Sequence, residues 1–155
     1  MLHYSIVLNI VLLEPEIPQN TGNVARTAAC TGATLHLVKP FKFEINDKTL
    51  KRAGLDYWDK VKVKLWDSFS DLENAYINSN FYFIETGGKA HYTDIKFKEN
   101  DFIVFGKETT GIDKALLQKN SDRVLSIPMR GNLRSLNLSN CVAIVLYEAL
   151  RQIGF

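Results

Sequence analysis

Hydrophobic runs mark out short strands along the chain, and the segments between them have the features of helices. Residues 4–14 are rich in Ile, Val and Leu, which is typical of a strand buried on both faces of a parallel sheet. Further strands are predicted at 35–38, 61–66, 81–84, 102–105 and 123–127. In 61–66 apolar residues alternate with lysines, which indicates a strand with one solvated face, or one at the edge of the sheet.

The segments between these strands are predicted to form helices at 21–31, 47–53, 70–78, 113–119 and 137–152. Asn20 is suited to cap the first of them and Gly32 to end it. Ser70 and Glu73 have the spacing of a capping box at the start of the third. In the last helix, apolar residues such as Leu146 recur at helical spacing, so we expect that face to pack in the core.

Because strands and helices alternate, the pattern predicts an α/β protein with a mostly parallel sheet flanked by helices. The chain has 155 residues without a linker or a repeat, so we expect one domain over residues 1–155. Hydrophobic residues make up 46% and charged residues 23%, a globular composition that excludes extended disorder. Ligands of such sheets bind at the carboxyl ends of the strands, and functional residues are expected there.

Charge and cysteine usage narrow the classes of function. The net charge of +2 is compatible with an anionic partner but does not require one. Cys30 and Cys141 have no second cysteine or histidine at metal-ligand spacing, so we expect no metal site and two small buried residues in a reducing compartment. No apolar segment has the length of a membrane span, and the protein is expected in the cytoplasm.

Two common nucleotide-binding motifs are absent from the sequence. No GxGxxG follows the first predicted strand. Gly106-Lys107 is not a P-loop, because Glu108 follows where Ser or Thr is required and Asp101 stands where the first glycine would be. Without a nucleophile elbow or a pair of metal ligands, a hydrolase or metalloenzyme is disfavoured.

Polar residues after the first strand form the first of three motifs. Helical spacing puts Asn23 and Arg26 side by side near the predicted helix start. Backbone N–H groups and a guanidinium there would favour a phosphate or a developing alkoxide. A capping asparagine at Asn20 with a solvent-facing arginine would explain the same segment, and both interpretations stay open.

The other two motifs follow later strands. Segment 106–111 has a glycine at each end and Glu108 between them, so its backbone can approach a ligand closely. Segment 127–139 runs from a proline-fixed strand end to Ser135 and Asn137 at a helix start. A plain turn and a helix cap are the structural alternatives. All three motifs share one predicted edge of the sheet, which favours a common site.

In this order, the motifs NxGNxxR, GxExxG and IPM…SxNLS resemble those of the SpoU branch of the SPOUT RNA methyltransferases. The stretches EPEIPQNTGN, RAGLDY and NLSN are similar to small tRNA (cytidine/uridine-2′-O)-methyltransferases of that branch. The resemblance implies a C-terminal trefoil knot, a homodimer, and S-adenosylmethionine as the methyl donor. The implied reaction is 2′-O-methylation of the wobble nucleotide, position 34, a cytidine or modified uridine of leucine tRNAs.

The resemblance also implies site residues, matched position by position. The implied cofactor contacts are Ile84, Thr86, Gly106, Ile127, Met129, Ser135 and Leu136. The implied polar residues of the reaction are Asn20, Arg26, Glu108, Ser135 and Asn137. Candidates for contacts with RNA phosphates are Arg52, Arg130 and Arg134, with Lys48 and Lys51. In a dimer, Arg26 or Arg130 of one subunit could face the cofactor of the other.

Arg26 is expected beside the reacting hydroxyl. A guanidinium has a pKa above about 12 and is a poor base, so Arg26 would hold the phosphate and stabilise the forming alkoxide. Two alternative functions remain: a ribosomal RNA 2′-O-methyltransferase, and a non-catalytic RNA-binding module with the same fold. Intact Arg26, Glu108 and Ser135 argue against the module.

One loop departs from the pattern of the family. Glu85-Thr86-Gly87-Gly88 stands where Thr-Thr-Lys-Gly is often found after the fourth strand. The side-chain contacts of this loop are therefore left open, while its backbone contacts would persist.

Overall fold

A seven-stranded parallel sheet is the centre of the computed structural model, which describes residues 7–45, 48, 58–133 and 135–155. Its strands are β1 (Asn9–Leu13), β2 (Thr34–Val38), β3 (Val63–Trp66), β4 (Phe81–Ile84), β5 (Ala90–His91), β6 (Phe102–Phe105) and β7 (Val124–Ser126). The order across the sheet is β3-β2-β1-β6-β4-β7-β5, and every neighbouring pair runs parallel. The carboxyl ends of all these strands therefore lie along one edge of the sheet.

Helices cover both faces of the sheet, so the α/β architecture expected from the sequence is confirmed. The helices are α1 (Pro18–Thr31), α2 (Phe69–Ala75), α3 (Lys114–Lys119) and α4 (Leu138–Ile153), with 3₁₀ turns at Trp58–Lys60 and Ser121–Arg123. Residues of α1 and α4 belong to one apolar core, and residues of α2 and α3 pack in or against the other.

The pleat of the strands explains this division. Successive side chains of a strand point to opposite faces. In β1, Ile10 and Leu12 pack in the core of α1 and α4, whereas Val11 packs in the core of α2 and α3. Because both faces are covered, the central strands are apolar throughout and do not alternate.

Most strand predictions are confirmed, two of them to the residue, at Phe81–Ile84 and Phe102–Phe105. The predicted strand at 61–66 is β3, which is shorter than predicted and lies at an edge of the sheet. The prediction of a strand over 4–14 is too long at its end, because Glu14 already has a φ of 47°. Strand β5 was not predicted, and it has only two residues.

Two helix starts were predicted wrongly. Helix α1 begins at Pro18 with Ile17 as its N-cap, because the fixed φ of proline suits the first helical position. Asn20 is therefore inside the first turn and does not cap it. Helix α2 is capped by the Ser68 hydroxyl, which accepts from the backbone N–H of Asp71, and not by Ser70. The helix predicted at 47–53 lies, except for Lys48, outside the described residues.

The closing helix follows the prediction closely. The side chain of Asn137 caps α4 by accepting from the backbone N–H groups of Ser139 and Asn140. Leu146 is buried in the core, as its helical spacing indicated. The cysteine prediction is wrong for Cys30, because this residue lies on the outward face of α1 and is exposed.

A buried histidine joins the first three strands through side-chain hydrogen bonds. Trp66 Nε1 donates to His36 Nδ1 at 3.0 Å. The proton of the imidazole must then be on Nε2, which lies 3.0 Å from Asn9 Oδ1. Burial, followed by the charges of Lys64 and Lys62, lowers the pKa of His36 from 6.5 to about 4. The neutral ring is thus part of the folded structure.

This histidine should make stability depend on pH. The folded-state pKa is below the unfolded value of 6.5, so its contribution is complete above pH 6.5 and lost as pH falls through about 4. Between pH 7 and pH 5 we expect wild type to lose about 2 kcal/mol of unfolding free energy more than His36→Gln. Urea unfolding at several pH values measures this difference. His91→Gln, at an exposed histidine, should follow wild type, and parallel curves for wild type and His36→Gln would contradict the expectation.

Candidate functional site

A pocket of about 750 Å³ lies at the carboxyl edge of the sheet. It is formed by the ends of β4, β6 and β7 and by the first turns of α1 and α4. Its lining residues are Ile17, Asn20, Ile84, Glu85, Thr86, Phe105, Gly106, Lys107, Glu108, Thr109, Thr110, Gly111, Ile127, Met129, Ser135, Leu136, Asn137, Leu138 and Cys141. The loops of all three sequence motifs therefore meet at one place.

The pocket brings together most of the residues that the sequence singled out. All those matched to cofactor contacts are in its lining: Ile84, Thr86, Gly106, Ile127, Met129, Ser135 and Leu136. Of the residues matched to the reaction, Asn20, Glu108, Ser135 and Asn137 line it as well.

The arginines are placed differently from the pocket residues. Arg26 and Arg130 are exposed and are not among the lining residues. Because α1 begins at Pro18, Arg26 is about 12 Å along the helix from its first residue, so the expected position near the helix start is wrong. Arg52 and Arg134 lie outside the described residues.

Glu108 links the second motif to the first. Its Oε2 accepts from the backbone N–H of Glu16 at 2.9 Å, and its Oε1 accepts from that of Ile17 at 3.1 Å. These N–H groups lie just before α1, where a negative charge also interacts favourably with the helix dipole. The Glu108 carboxylate thus acts as the anion at the start of α1, and it is supplied by the loop after β6.

Asn20 links this carboxylate to the third motif. Its amide nitrogen donates to Glu108 Oε1 at 3.4 Å, and its Oδ1 accepts from Asn137 Nδ2 at 3.1 Å. Asn137 in turn caps α4. Asn20 is buried inside α1, and its side chain connects the two other motifs. One hydrogen-bonded chain therefore joins residues that are separated by more than a hundred positions in the sequence.

In the loop after β4, whose sequence departs from the family pattern, Glu85 makes the side-chain contacts. Its Oε2 accepts from the backbone N–H of Ile112 at 2.8 Å, and its Oε1 accepts from that of Thr86. It lies against Gly111, where a Cβ would come within 2.4 Å of Oε2. Glu85 thereby ties the loop after β4 to the loop after β6.

The loop 106–111 needs both of its glycines. A Cβ on Gly106 would lie 2.2 Å from the carbonyl carbon of Gly111, because the two ends of the loop touch. Gly111 has a φ of 71°, a conformation that side chains rarely allow. The sequence signal of paired glycines therefore reflects a closed turn, whose backbone forms one wall of the pocket.

Glu16 also binds the loop 106–111, from outside the pocket. This residue was not identified from the sequence. Its Oε1 accepts from the backbone N–H and the hydroxyl of Thr109, and its Oε2 accepts from Lys42 at 2.6 Å. The bond from Lys42, followed by those from Thr109, lowers the pKa of Glu16 to about 2. Its position between Pro15 and Ile17 gave no signal of this contact.

The pocket suits an organic ligand with apolar and polar parts. Isoleucine, methionine and leucine side chains form walls, and the glycine loop brings backbone close to the cavity. The volume is within the range of about 300–1,000 Å³ that is common for small-molecule sites. Cys141 lines the pocket, and burial raises the pKa of its thiol, which favours the neutral form.

Two classes of feature are missing from the part of the chain that the structure describes. It holds no cluster of three or more His, Cys, Asp or Glu side chains suited to bind a metal ion. Within those same ranges, no helix combines the length and apolar character needed to cross a membrane.

Comparison with known proteins places these features in a family. Residues 7–147 match the model of the SpoU rRNA Methylase family. A relative from Geobacillus stearothermophilus is 50% identical over 153 residues, which is 97% of this chain and 98% of that protein. A tRNA (cytidine(34)-2′-O)-methyltransferase of Saccharophagus degradans is 44% identical over 96% of this chain and 97% of its own.

Solved structures agree with this match. A structure titled "Structural insights into the 2-OH methylation of C/U34 on tRNA" is 44% identical, has a TM-score of 0.89, and covers 94% of this chain and 95% of that one. The SpoU methyltransferase AviRb of Streptomyces viridochromogenes, in complex with the cofactor AdoMet, has a TM-score of 0.82 at 24% identity. That match covers 95% of this chain and 58% of AviRb, and it shows the shared fold alone.

Removing the Glu108 carboxylate should loosen the start of α1. In Glu108→Ala the N–H groups of Glu16 and Ile17 lose their acceptor, which should cost about 1–3 kcal/mol of unfolding free energy. Urea unfolding measures the loss, and amide hydrogen exchange should speed up at Glu16 and Ile17. Glu99→Ala, at an exposed glutamate, is the matched control. Unchanged stability and exchange in Glu108→Ala would show that this anchor is not needed.

Proposed function

Because this chain belongs to the SpoU rRNA methylase family, we propose that it is an S-adenosylmethionine-dependent RNA 2′-O-methyltransferase. The proposed substrate is tRNA, and the proposed target is the ribose of nucleotide 34, a cytidine or a modified uridine, in leucine tRNAs. The observation that carries the proposal is that three separated motif loops meet at one pocket. Relatives of nearly the same length that are named for this reaction support the choice of substrate.

The residues of the pocket fit S-adenosylmethionine. The adenine ring needs apolar contacts on its faces, which Ile84, Ile127 and Leu136 would provide. The hydrogen-bonding groups of the molecule need close polar partners, which the backbone at Gly106 and the hydroxyl of Ser135 would provide. When bound, the cofactor supplies a methyl group on a positively charged sulfur.

The hydrogen-bonded chain of Glu108, Asn20 and Asn137 would serve the reaction by positioning. Both oxygens of Glu108 already accept bonds from the chain itself, so we assign this carboxylate an orienting role and not that of a general base. Orientation can supply about 7–11 kcal/mol of a barrier when two reactants are held in the right geometry. Fixing three loops relative to one another is what such orientation requires.

Arg26 is proposed to act on the pocket of the partner subunit in a homodimer. It lies on an exposed face of α1, outside the lining of its own pocket. An exposed apolar surface on the neighbouring α4, with Ile144 and Tyr147, is suited to contact a second copy. In that arrangement the guanidinium would hold an RNA phosphate and stabilise the oxygen that loses its proton.

The remaining parts of the proposal concern the fold and its setting. We propose a C-terminal trefoil knot, which the family of the chain implies. We also propose that residues 1–155 form one such domain and that it works on tRNA in the cytoplasm.

Methyl transfer from labelled S-adenosylmethionine tests the function directly. With total tRNA, we expect label on the ribose of nucleotide 34 of leucine tRNAs, identified by nuclease digestion and mass spectrometry. Label confined to ribosomal RNA would show that ribosomal RNA, and not tRNA, is the substrate. Tight tRNA binding without any label would support a non-catalytic module. The control is Ile127→Trp, in which the larger side chain fills the pocket. Calorimetry should detect no cofactor binding to this variant.

Arg26→Ala should lower kcat by about 100-fold or more and leave cofactor affinity within about twofold, because it removes a charge that stabilises the reacting oxygen. Arg151→Ala, near the end of α4, is the matched control and should keep full activity.

Mixed dimers test whether Arg26 acts on the pocket of its own subunit or on that of its partner. Arg26→Ala and Ile127→Trp should each have little activity alone. Co-refolded together, they should recover activity only if Arg26 acts across the dimer. Full activity of Arg26→Ala alone would remove it from the mechanism.

A further inference from the structure

A second pocket, of about 730 Å³, opens on the same edge of the sheet, beside the first. It lies at the ends of β1, β2 and β3, next to α2 and α3. Its apolar floor is formed by Leu13, Val38, Phe69, Ile112 and Leu116. None of the residues matched to cofactor, reaction or RNA contacts belongs to this lining, so the proposed function assigns the pocket no role so far.

The two pockets share one wall. Lys107, Thr110 and Gly111 line both of them, so the closed glycine loop separates the two cavities. Lys107 Nζ is paired with a carboxylate oxygen of Glu14 at 3.3 Å, on the side of the second pocket. Glu14 has a φ of 47°, a strained conformation for a residue with a side chain, and such strain is often found at functional sites.

Polar groups of both charges surround the apolar floor. Lys39 Nζ is paired with Asp67 Oδ1 at 3.2 Å at the mouth, and Lys107 is paired with Glu14 deeper in the wall. A phosphate site would have an excess of positive charge, which this balanced set lacks. A nucleobase needs apolar contacts on its faces together with donors and acceptors at its edge, and this lining offers both.

From this geometry we propose that the second pocket accepts the base of a nucleotide next to the methylated one. This inference rests on the proposed function, because that function puts a ribose at the first pocket. A neighbouring nucleotide of the same strand then passes over the shared wall of Lys107, Thr110 and Gly111. Bases of single-stranded RNA loops unstack readily and are held on aromatic side chains, and Phe69 supplies the aromatic group here.

The second pocket thus extends recognition from one nucleotide to two. The ribose that receives the methyl group is positioned at the first pocket, and its neighbour fixes the register of the strand. Lys39, half-exposed at the mouth, is positioned to contact the edge of that base or its ribose.

Abasic RNA tests this inference. In anticodon stem-loop RNAs, the base on either side of nucleotide 34 is removed in turn, and affinity is measured by fluorescence anisotropy. Loss of the base that enters the pocket should weaken wild-type binding about tenfold, as expected for one base held on an aromatic group. In Phe69→Leu, intact RNA should already bind about tenfold more weakly, and the abasic change should cause no further loss.

Lys39→Ala gives a second, exposed position at which folding is not at risk. It should reduce the loss of affinity that removal of the base causes. Lys62 precedes β3, at the amino ends of the strands, so Lys62→Ala should keep the wild-type loss of affinity. Equal penalties in wild type, Phe69→Leu and Lys39→Ala would overturn the inference, as would the absence of any penalty in wild type. Because the readout is binding, failure of the proposed methyl transfer is seen separately, as missing label in the activity assay.

Discussion

The candidate site depends on one carboxylate that serves residues distant from it in the sequence. Glu108 follows β6, yet its oxygens satisfy the backbone N–H groups that open α1 and the amide of Asn20. Asn20 passes the connection on to Asn137 at the start of α4. The geometry of the pocket therefore cannot be adjusted one loop at a time, because each loop supplies the hydrogen-bond partner of the next.

Two further acids reinforce the loop that carries Glu108. Glu85 holds its far end from the side of β4, and Glu16 holds Thr109 from the side of α1. All three carboxylates accept backbone N–H groups, and the bonds from Glu16 and Ile112 are part-buried, where an unsatisfied N–H is costly. Side chains that look like acid–base candidates in the sequence therefore stabilise the backbone of the loops in this structure.

The sequence predicted the sheet well because its strands are continuous apolar runs, as at Phe102–Phe105. It also predicted that the loops of the three motifs would meet, since the ends of parallel strands must share an edge. What it could not provide was the order of the strands, which depends on long-range pairing, or the partner of each polar side chain. Asn20 shows the difference: its residue type suggested a cap, but Pro18 starts the helix earlier and leaves the amide free to join two loops. Similarly, β5 was missed because two residues are too few to show a period.

The strand order has a consequence for how the molecule comes to be folded. Strand β6 lies between β1 and β4, and β7 separates β4 from β5, so neighbours in space are distant along the chain. Such non-local pairing slows folding, because long loops must close before the contacts they make can repay the lost entropy. During synthesis β1 and β4 cannot be joined until residues 102–105 of β6 have left the ribosome, and β4 and β5 cannot be joined until residues 124–126 of β7 have followed. A nascent chain of this protein should therefore depend on chaperones until β7 has been made.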